Sequence, residues 1–228
     1  MYNPSDSIPI VRNLIVKAFA VRPRHFDSDI ATGYITNVTQ TFSKDGIYYR
    51  LVDNVLTNEV EVTRGSKDYE GDLVIPDKIT YAGVKYDVTR IGESALGTGY
   101  YNSSQVTSVI LPPTIRSIGK WAFSAMNMLT ELDIPASVVT IEEGAFNETS
   151  LKKVTLHEGL ETIEKNAFYR STQLTNVTLP QTLKTIGNEA FAGCSEFTHM
   201  DIPESVTSIG ESAFSSCSKF QIMSYYLG

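Results

Sequence analysis

The stretch Ile186-Gly187-Asn188-Glu189-Ala190-Phe191 is one of six copies of a phrase that recurs along the chain. Each copy has Ala four residues after its isoleucine and Phe one residue later, except that Leu96 replaces Phe in the first copy. The successive isoleucines are 27, 23, 22, 23 and 23 residues apart, at Ile91, Ile118, Ile141, Ile163, Ile186 and Ile209. So regular a spacing predicts a chain built from stacked structural units.

A second phrase precedes the isoleucine phrase and has the pattern of a strand. It places apolar residues at its first, fourth and sixth positions, as in Leu174-Thr175-Asn176-Val177-Thr178-Leu179. The alternation fits a strand with one buried face. Proline follows in four of the five full copies, and His157 takes its place in the third, where we interpret it as a proline substitute at a bend.

One copy of the two phrases together forms one rung, and the period is typical of a leucine-rich repeat solenoid. We therefore predict an α/β repeat fold, in which short strands and helical turns form a right-handed curved stack. The regular repeats span residues 106–228 and end in a half repeat. Residues 46–105 are predicted to form a β-rich capping unit with a first irregular repeat, interrupted by a hairpin at Ala82-Gly83. Residues 1–45 carry no repeat phrase, and their role stays open.

Composition argues against several classes of function. The chain has 228 residues and a formal net charge of −7, whereas nucleic acid and anionic membranes attract basic surfaces. No apolar run reaches the roughly 18 residues of a transmembrane helix. Arg12 and Lys17 interrupt the best candidate for an export leader, so we expect no leader in this sequence.

Cys194 and Cys217 are the only cysteines, too few for a disulfide framework. Their spacing of 23 residues places them in one column on successive rungs. We favour two free buried thiols, because unpaired cysteine is among the most buried residue types. A bridge between neighbouring rungs is the alternative.

The two phrases resemble a known family. Leu174-Thr175-Asn176-Val177-Thr178-Leu179-Pro180 and residues 186–195 are similar to BspA-like, or Treponema pallidum-type, leucine-rich repeats. Residues 45–49, 69–76 and 88–92 resemble the unit that precedes such repeats in proteins of gut and oral Bacteroidetes. The resemblance implies a bacterial surface or secreted protein that acts as an adhesin. The departures from the family pattern are Leu96 for Phe, His157 for Pro, and Glu142 and Glu164 for Gly.

Outward-facing strand residues are the first candidates for binding. Alternation predicts two mostly polar columns on the open sheet, and the candidate contacts among them are Glu131, Asp133, Lys153, Asn176, His199 and Asp201. Such columns are either a solvated face or the recognition surface for which solenoids are used. Ile110 and Ile222 lie at opposite ends of these columns, and we expect the N-terminal unit or the C-terminal tail to cover them.

Aromatic residues outside the core register are the second candidates. Tyr100 and Tyr101 lie in an insertion before the first full rung, and Trp121 occupies a position that is small or polar in the other rungs. We expect Trp121 at the surface, where Trp and Tyr are enriched in binding hot spots. The alternative is that Trp121 packs beneath the Tyr100-Tyr101 loop.

No motif for catalysis, a cofactor or a metal emerges. His199 and Asp201 supply two ligands from one rung, whereas a metal needs at least three, and none of the three histidines lies in a nucleophile motif. We predict a non-catalytic extracellular or cell-surface protein that binds a protein or glycan, including host extracellular matrix. The alternatives are a structural spacer that displays other modules and an enzyme with a site in residues 1–45.

Overall fold

The computed structural model describes residues 15–18, 31–34, 41–52, 57–97 and 105–222. Over these residues the backbone forms strands and turns, and no helix is present. The first two strands, β1 (Ile15–Ala18) and β2 (Ala31–Tyr34), pair in antiparallel orientation.

Six strands lie between Phe42 and Ile91, and all but the first of them fall within residues 46–105, the predicted capping unit. These are β3 (Phe42–Lys44), β4 (Ile47–Leu51), β5 (Glu59–Val62), β6 (Glu70–Val74), β7 (Lys78–Tyr81) and β8 (Val84–Ile91). Strands β3, β4 and β5 pair in antiparallel order, and β5 runs parallel to β8. Between β7 and β8, Ala82 and Gly83 have φ values of 47° and 78°, the positive angles that a two-residue hairpin needs. The predicted hairpin is confirmed.

Most repeats contribute two short strands, which stack into two columns, whereas the repeat that begins at Leu174 joins the first column through a single bridge residue, Asn176. The leucine phrases form the first-strand column, whose strands are β9 (Gln105–Ile110), β11 (Glu131–Asp133), β13 (Lys153–Thr155), β16 (His199–Met200) and β18 (Gln221–Ile222). The isoleucine phrases form the Ile-strand column, whose strands are β10 (Ser117–Ile118), β12 (Thr140–Ile141), β14 (Thr162–Ile163), β15 (Thr185–Ile186) and β17 (Ser208–Ile209).

Cap and repeats are joined through both columns. Strand β8 pairs in parallel with β10, so the Ile-strand column and β3, β4 and β5 form a single sheet of ten strands that also includes β7. On the other side of the rung, β6 pairs in parallel with β9. The cap therefore presents its strand edges to the first regular rung, as an atypical terminal repeat must do to cover the core.

The turn that closes each rung is not helical. Two positions in it adopt positive φ, and these are Ser94, Trp121, Gly144, Asn166, Glu189 and Ser212 at the first and Ala125, Glu148, Arg170, Gly193 and Ser216 at the second. An α-helix requires consecutive negative φ angles, so these positions interrupt it. The backbone donors bond to the next rung instead, as Phe168 N does to Ala190 O at 2.7 Å.

The prediction of helical turns is therefore wrong, and with it the α part of the α/β class. The fold is a leucine-rich repeat β-solenoid of six turns, one for each Ile strand from β8 to β17.

A ladder of phenylalanine rings forms the centre of the core. Phe123, Phe146, Phe168 and Phe191 are fully buried, and successive ring centroids lie 5.0, 5.0 and 5.1 Å apart. That separation is close to the spacing of about 4.8 Å between paired strands, so one ring per rung suffices to fill the column. A buried side chain of this size contributes about 1.5–3 kcal/mol, and it is the stacking of rungs that buries it.

The two cysteines occupy an internal column beside this ladder. Three side chains of the column each donate a hydrogen bond to a phenylalanine carbonyl of the preceding rung: Ser171 to Phe146 (2.8 Å), Cys194 to Phe168 (3.1 Å) and Cys217 to Phe191 (3.1 Å). Both cysteines are free, with Cys194 buried and Cys217 half-buried. Burial raises the pKa of both thiols above the ordinary value. The prediction of two free buried thiols in one column is confirmed for Cys194, whereas Cys217 is free but only half-buried.

Candidate functional site

The first-strand column places four of the predicted contacts in a single row. Parallel pairing sets Glu131 beside Lys153, Lys153 beside Asn176, and Asn176 beside His199. All four side chains are exposed, whereas the next residues along these strands, such as Leu132 and Val154, are buried. The structure thus brings together, as one outward polar row, residues that are 22 or 23 positions apart in the sequence.

The second of the two predicted outward columns, which includes Asp133 and Asp201, contains a contact that the sequence did not reveal. Asp133 pairs with Thr155 in the backbone register and is exposed. Its Oδ1 lies 2.7 Å from Nε2 of His157, on the following rung. His157 is thus more than a proline substitute at a bend, since its exposed ring bonds to the polar face. The signal in the sequence was its place one rung after Asp133 and two residues beyond Thr155.

A depression of about 450 Å³ lies at the C-terminal end of the two rows. Asn176, His199 and Asp201 all line it, so it joins three of the predicted contacts. Thr198 Oγ1 donates to Asn176 Oδ1 at 2.8 Å and lies 3.1 Å from His199 Nδ1. These contacts link the exposed side chains of Asn176 and His199 through Thr198. The remaining lining includes Gln181 and Glu204, which the alternation argument missed because they belong to the turn after the strand.

The N-terminal end of the face is apolar. Val74 of β6 pairs with Ile110 of β9, and each side chain is 60% exposed. The expectation that the N-terminal unit covers Ile110 is therefore wrong, because the described residues of that unit supply a paired strand beside Ile110 and no layer above it. At the other end, Met200 pairs with Ile222, and Gln221 takes the place beside His199. The predicted alignment of Ile222 with His199 is wrong by one residue.

A buttressed carboxylate lies next to this apolar pair. Asp72 Oδ1 accepts hydrogen bonds from Ser108 Oγ at 2.7 Å and Thr107 Oγ1 at 2.8 Å. These two bonds, chiefly the one from Ser108, lower the pKa of Asp72 below its usual value. The carboxylate thus keeps its negative charge on this part of the face under mildly acidic conditions.

Trp121 is half-buried and packs on the next rung. Its φ is 56°, and a Cβ on Gly144 would overlap the indole ring. The small and polar residues at equivalent positions are explained by their shared positive φ, which Gly and Asn adopt most readily. A bulky residue in this region is strained by about 1–3 kcal/mol. Tyr100 and Tyr101 lie outside the described residues, so their contact with Trp121 stays a prediction.

Two kinds of feature are absent from the described part of the chain. Within it, no three His, Cys, Asp or Glu side chains converge as a metal site requires. Nor does a helix long and apolar enough to span a bilayer occur among these residues.

The repeat register also matches a family model. A model for the BspA type leucine rich repeat region matches six copies over residues 89–221, which is more than half of the 228-residue chain. The chain belongs to the BspA-type leucine-rich repeat family. No curated protein matches it.

Solved structures share the fold of this BspA-type chain. A leucine-rich repeat protein from Bacteroides ovatus is 24% identical with a TM-score of 0.61, and the match covers 81% of this chain and 53% of that one. A leucine rich cell surface protein from Faecalibacterium prausnitzii is 22% identical with a TM-score of 0.59, over 82% and 55% of the two chains. The T. pallidum leucine rich repeat protein is 21% identical with a TM-score of 0.63, over 80% and 91%.

Identities this low show the fold of the BspA-type chain and no more. The chain spans about half the length of the Bacteroides and Faecalibacterium structures.

Proposed function

We propose that this BspA-type chain is a non-catalytic binding protein whose first-strand column holds a polypeptide partner. The observation that carries the proposal is the outward row from Glu131 to His199 with the depression at its end. Leucine-rich repeat proteins generally act through protein interactions, and stacked repeats offer extended surfaces for them.

The chemistry of the row favours a partner with polar groups of both kinds. Glu131 is acidic, Lys153 is basic, and Asn176 offers both a donor and an acceptor. Complementary charges along such a row select the partner and set its register more than they raise affinity. The apolar pair Val74 and Ile110 would anchor one end of the bound segment, since the burial of apolar surface favours protein association.

Trp121 is a second proposed contact, together with Tyr100 and Tyr101. Backbone strain at a bulky residue is often kept where the side chain has a use beyond folding. The ring is only half-buried, which leaves part of it accessible to a partner.

We place the protein at the cell surface. The support is the membership in the BspA-type family and the fold shared with a F. prausnitzii protein described as a cell surface protein. Host extracellular matrix is the proposed source of the partner.

Binding to immobilised fibronectin, collagen and mucin tests the proposal. The variant Lys153→Ala/Asn176→Ala/His199→Ala removes exposed side chains without touching the core. We expect it to bind at least tenfold more weakly to whichever of the three probes the wild type binds. The control Arg116→Ala/Lys184→Ala removes exposed charges near the Ile-strand column and should bind as the wild type does. Equal binding by both variants would refute a role for the row, and a wild type that binds none of the three would favour a spacer.

A further inference from the structure

A second depression, of about 610 Å³, lies on the capping unit and is not part of the first-strand column. It is lined by the β3–β4 hairpin, the segment after β5 and the end of β7. The side chains that face it are mostly aromatic or hydroxyl-bearing: Thr41, Ser43, Tyr48, Arg64, Ser66 and Tyr81.

Aromatic rings form the floor of this cap depression. Tyr81 stacks on Phe42 with ring centroids 4.0 Å apart and an interplanar angle of 15°. Phe42 is buried and packs against Tyr49 in the core, whereas Tyr81 is only half-buried. The core thus fixes the orientation of the Tyr81 ring while part of that ring stays open to solvent.

The wall opposite is built around Tyr48. Its backbone N–H donates a hydrogen bond to the hydroxyl oxygen of the buried Tyr69 at 3.0 Å, and the Tyr69 hydroxyl in turn donates to Thr63 O at 2.8 Å. A Cβ on Gly65 would overlap the Tyr48 ring, so the backbone of this segment lies directly against the ring. The depression is therefore formed before any ligand binds.

The rim carries hydroxyl groups and one cation. Ser66 Oγ lies 3.2 Å from the Tyr48 hydroxyl. Arg64 is the one charged side chain among the lining residues, and it pairs with Asp68 at 3.1 Å. Both partners are about half exposed, and an exposed pair of this kind contributes little, so a ligand carboxylate can replace Asp68.

We propose that the cap depression binds a saccharide unit that carries a carboxylate. A pyranose ring has an apolar face of C–H groups, which would pack on the open face of Tyr81, and a rim of hydroxyls, which would bond to Ser43 and Ser66. The guanidinium of Arg64 matches a carboxylate with two parallel hydrogen bonds. Pockets with aromatic walls and a few placed polar groups are typical of small-ligand sites.

A proline-rich peptide is the rival occupant, since it also docks on aromatic side chains. The rings of Tyr81 and Tyr48 could pack against either occupant. A proline segment, however, offers no anion to Arg64, whereas a sugar carboxylate does. The charge of Arg64 therefore favours the acidic saccharide.

Calorimetric titration of the full chain with trigalacturonic acid tests the site, with maltotriose as the neutral comparison. We expect trigalacturonic acid to bind and maltotriose to bind at least tenfold more weakly. Arg64→Gln should remove that preference, and Tyr81→Leu, which keeps apolar volume in the core, should abolish binding of both sugars. Arg116→Gln, an exposed arginine on the solenoid, is the matched control and should bind as the wild type does.

Several outcomes would overturn the proposal. These are a wild type that binds neither sugar, equal affinity for the two sugars, an unchanged Arg64→Gln variant, and binding of a proline-rich peptide in place of the sugars. Circular dichroism melts confirm that each variant is folded. The row variant Lys153→Ala/Asn176→Ala/His199→Ala should keep full sugar binding, so failure here and failure of the proposed function are distinguishable.

Discussion

Replacing Phe168 by alanine tests whether the rungs share one continuous core. The ring is fully buried in a central rung. It stacks between Phe146 at 5.0 Å and Phe191 at 5.1 Å, at interplanar angles of 13° and 3°. The substitution removes one ring and leaves two rings without a neighbour on that side.

The expected loss follows from these contacts. A buried Phe→Ala change costs about 3–5 kcal/mol through lost burial and a residual cavity. Each aromatic pair adds roughly 0.5–1.5 kcal/mol beyond burial, and two pairs are lost at once, so we expect a value near the upper end of that range. Neighbouring rungs stabilise one another in a solenoid, so the variant should also unfold less cooperatively.

The matched control is Phe214→Ala in the terminal rung. Phe214 is half-buried and contacts Phe191 at 5.6 Å and Phe220 at 4.9 Å. Because less surface is buried there, we expect a cost of about 1–2 kcal/mol. Urea unfolding followed by circular dichroism gives both values and shows whether the central variant has a second transition.

Two results would contradict the reasoning. The first is a loss below about 1 kcal/mol for Phe168→Ala, which would mean that the ring is not enclosed by its neighbours. The second is an equal loss for both variants, which would mean that stability does not depend on position in the stack.

Two further predictions concern the polar face and the turn. In the variant Gly144→Ala the new Cβ would overlap the indole of Trp121, so this change should destabilise the wild type more than it destabilises the Trp121→Asn variant. We expect a coupling of about 0.5–3 kcal/mol in a double-mutant cycle of thermal melts. Additive losses would rule out the contact. Hydrogen bonds from Ser108 and Thr107 lower the pKa of Asp72 below the ordinary value of an aspartate. Its stabilising contribution is therefore present above that ordinary pKa and is lost as the pH falls through the lower folded pKa. Ser108→Ala should raise that pKa in an NMR titration of the carboxyl carbon, and an unchanged value would contradict the role of the hydrogen bond.

Much of the fold could be predicted because the repeat encodes it locally. A period of 22 or 23 residues with Ile, Ala and Phe at fixed places defines the buried side chains, and burial of Phe168 and Cys194 agrees with it. The hairpin at Ala82-Gly83 could also be predicted, since two strand-like runs flank it directly and Gly83 readily adopts a positive φ.

The shape of the closing turn could not be predicted in the same way. Ala190 and Phe191 follow Ile186 by four and five residues, a spacing that suits a helical turn as well as the turn observed. The spacing of apolar residues does not determine the sign of φ. The residues directly before each repeat Ala, which are Ser, Trp, Gly, Asn and Glu, carried the signal for positive φ. A solvent-exposed position would have the same mostly small and polar composition, so the sequence did not distinguish the two explanations. The backbone hydrogen bonds to the next rung decide between the two, and they exist only after stacking.

The sequence by itself determined the repeat, its family and the outward row from Glu131 to His199, because alternation in a strand assigns each side chain to one face. Only the tertiary structure decided which distant residues meet. It pairs His157 with Asp133 and exposes Ile110 beside Val74. It also brings three separate segments of the cap around one depression. Such contacts depend on how rungs and loops pack in three dimensions, and the repeat pattern of the sequence does not predict that packing.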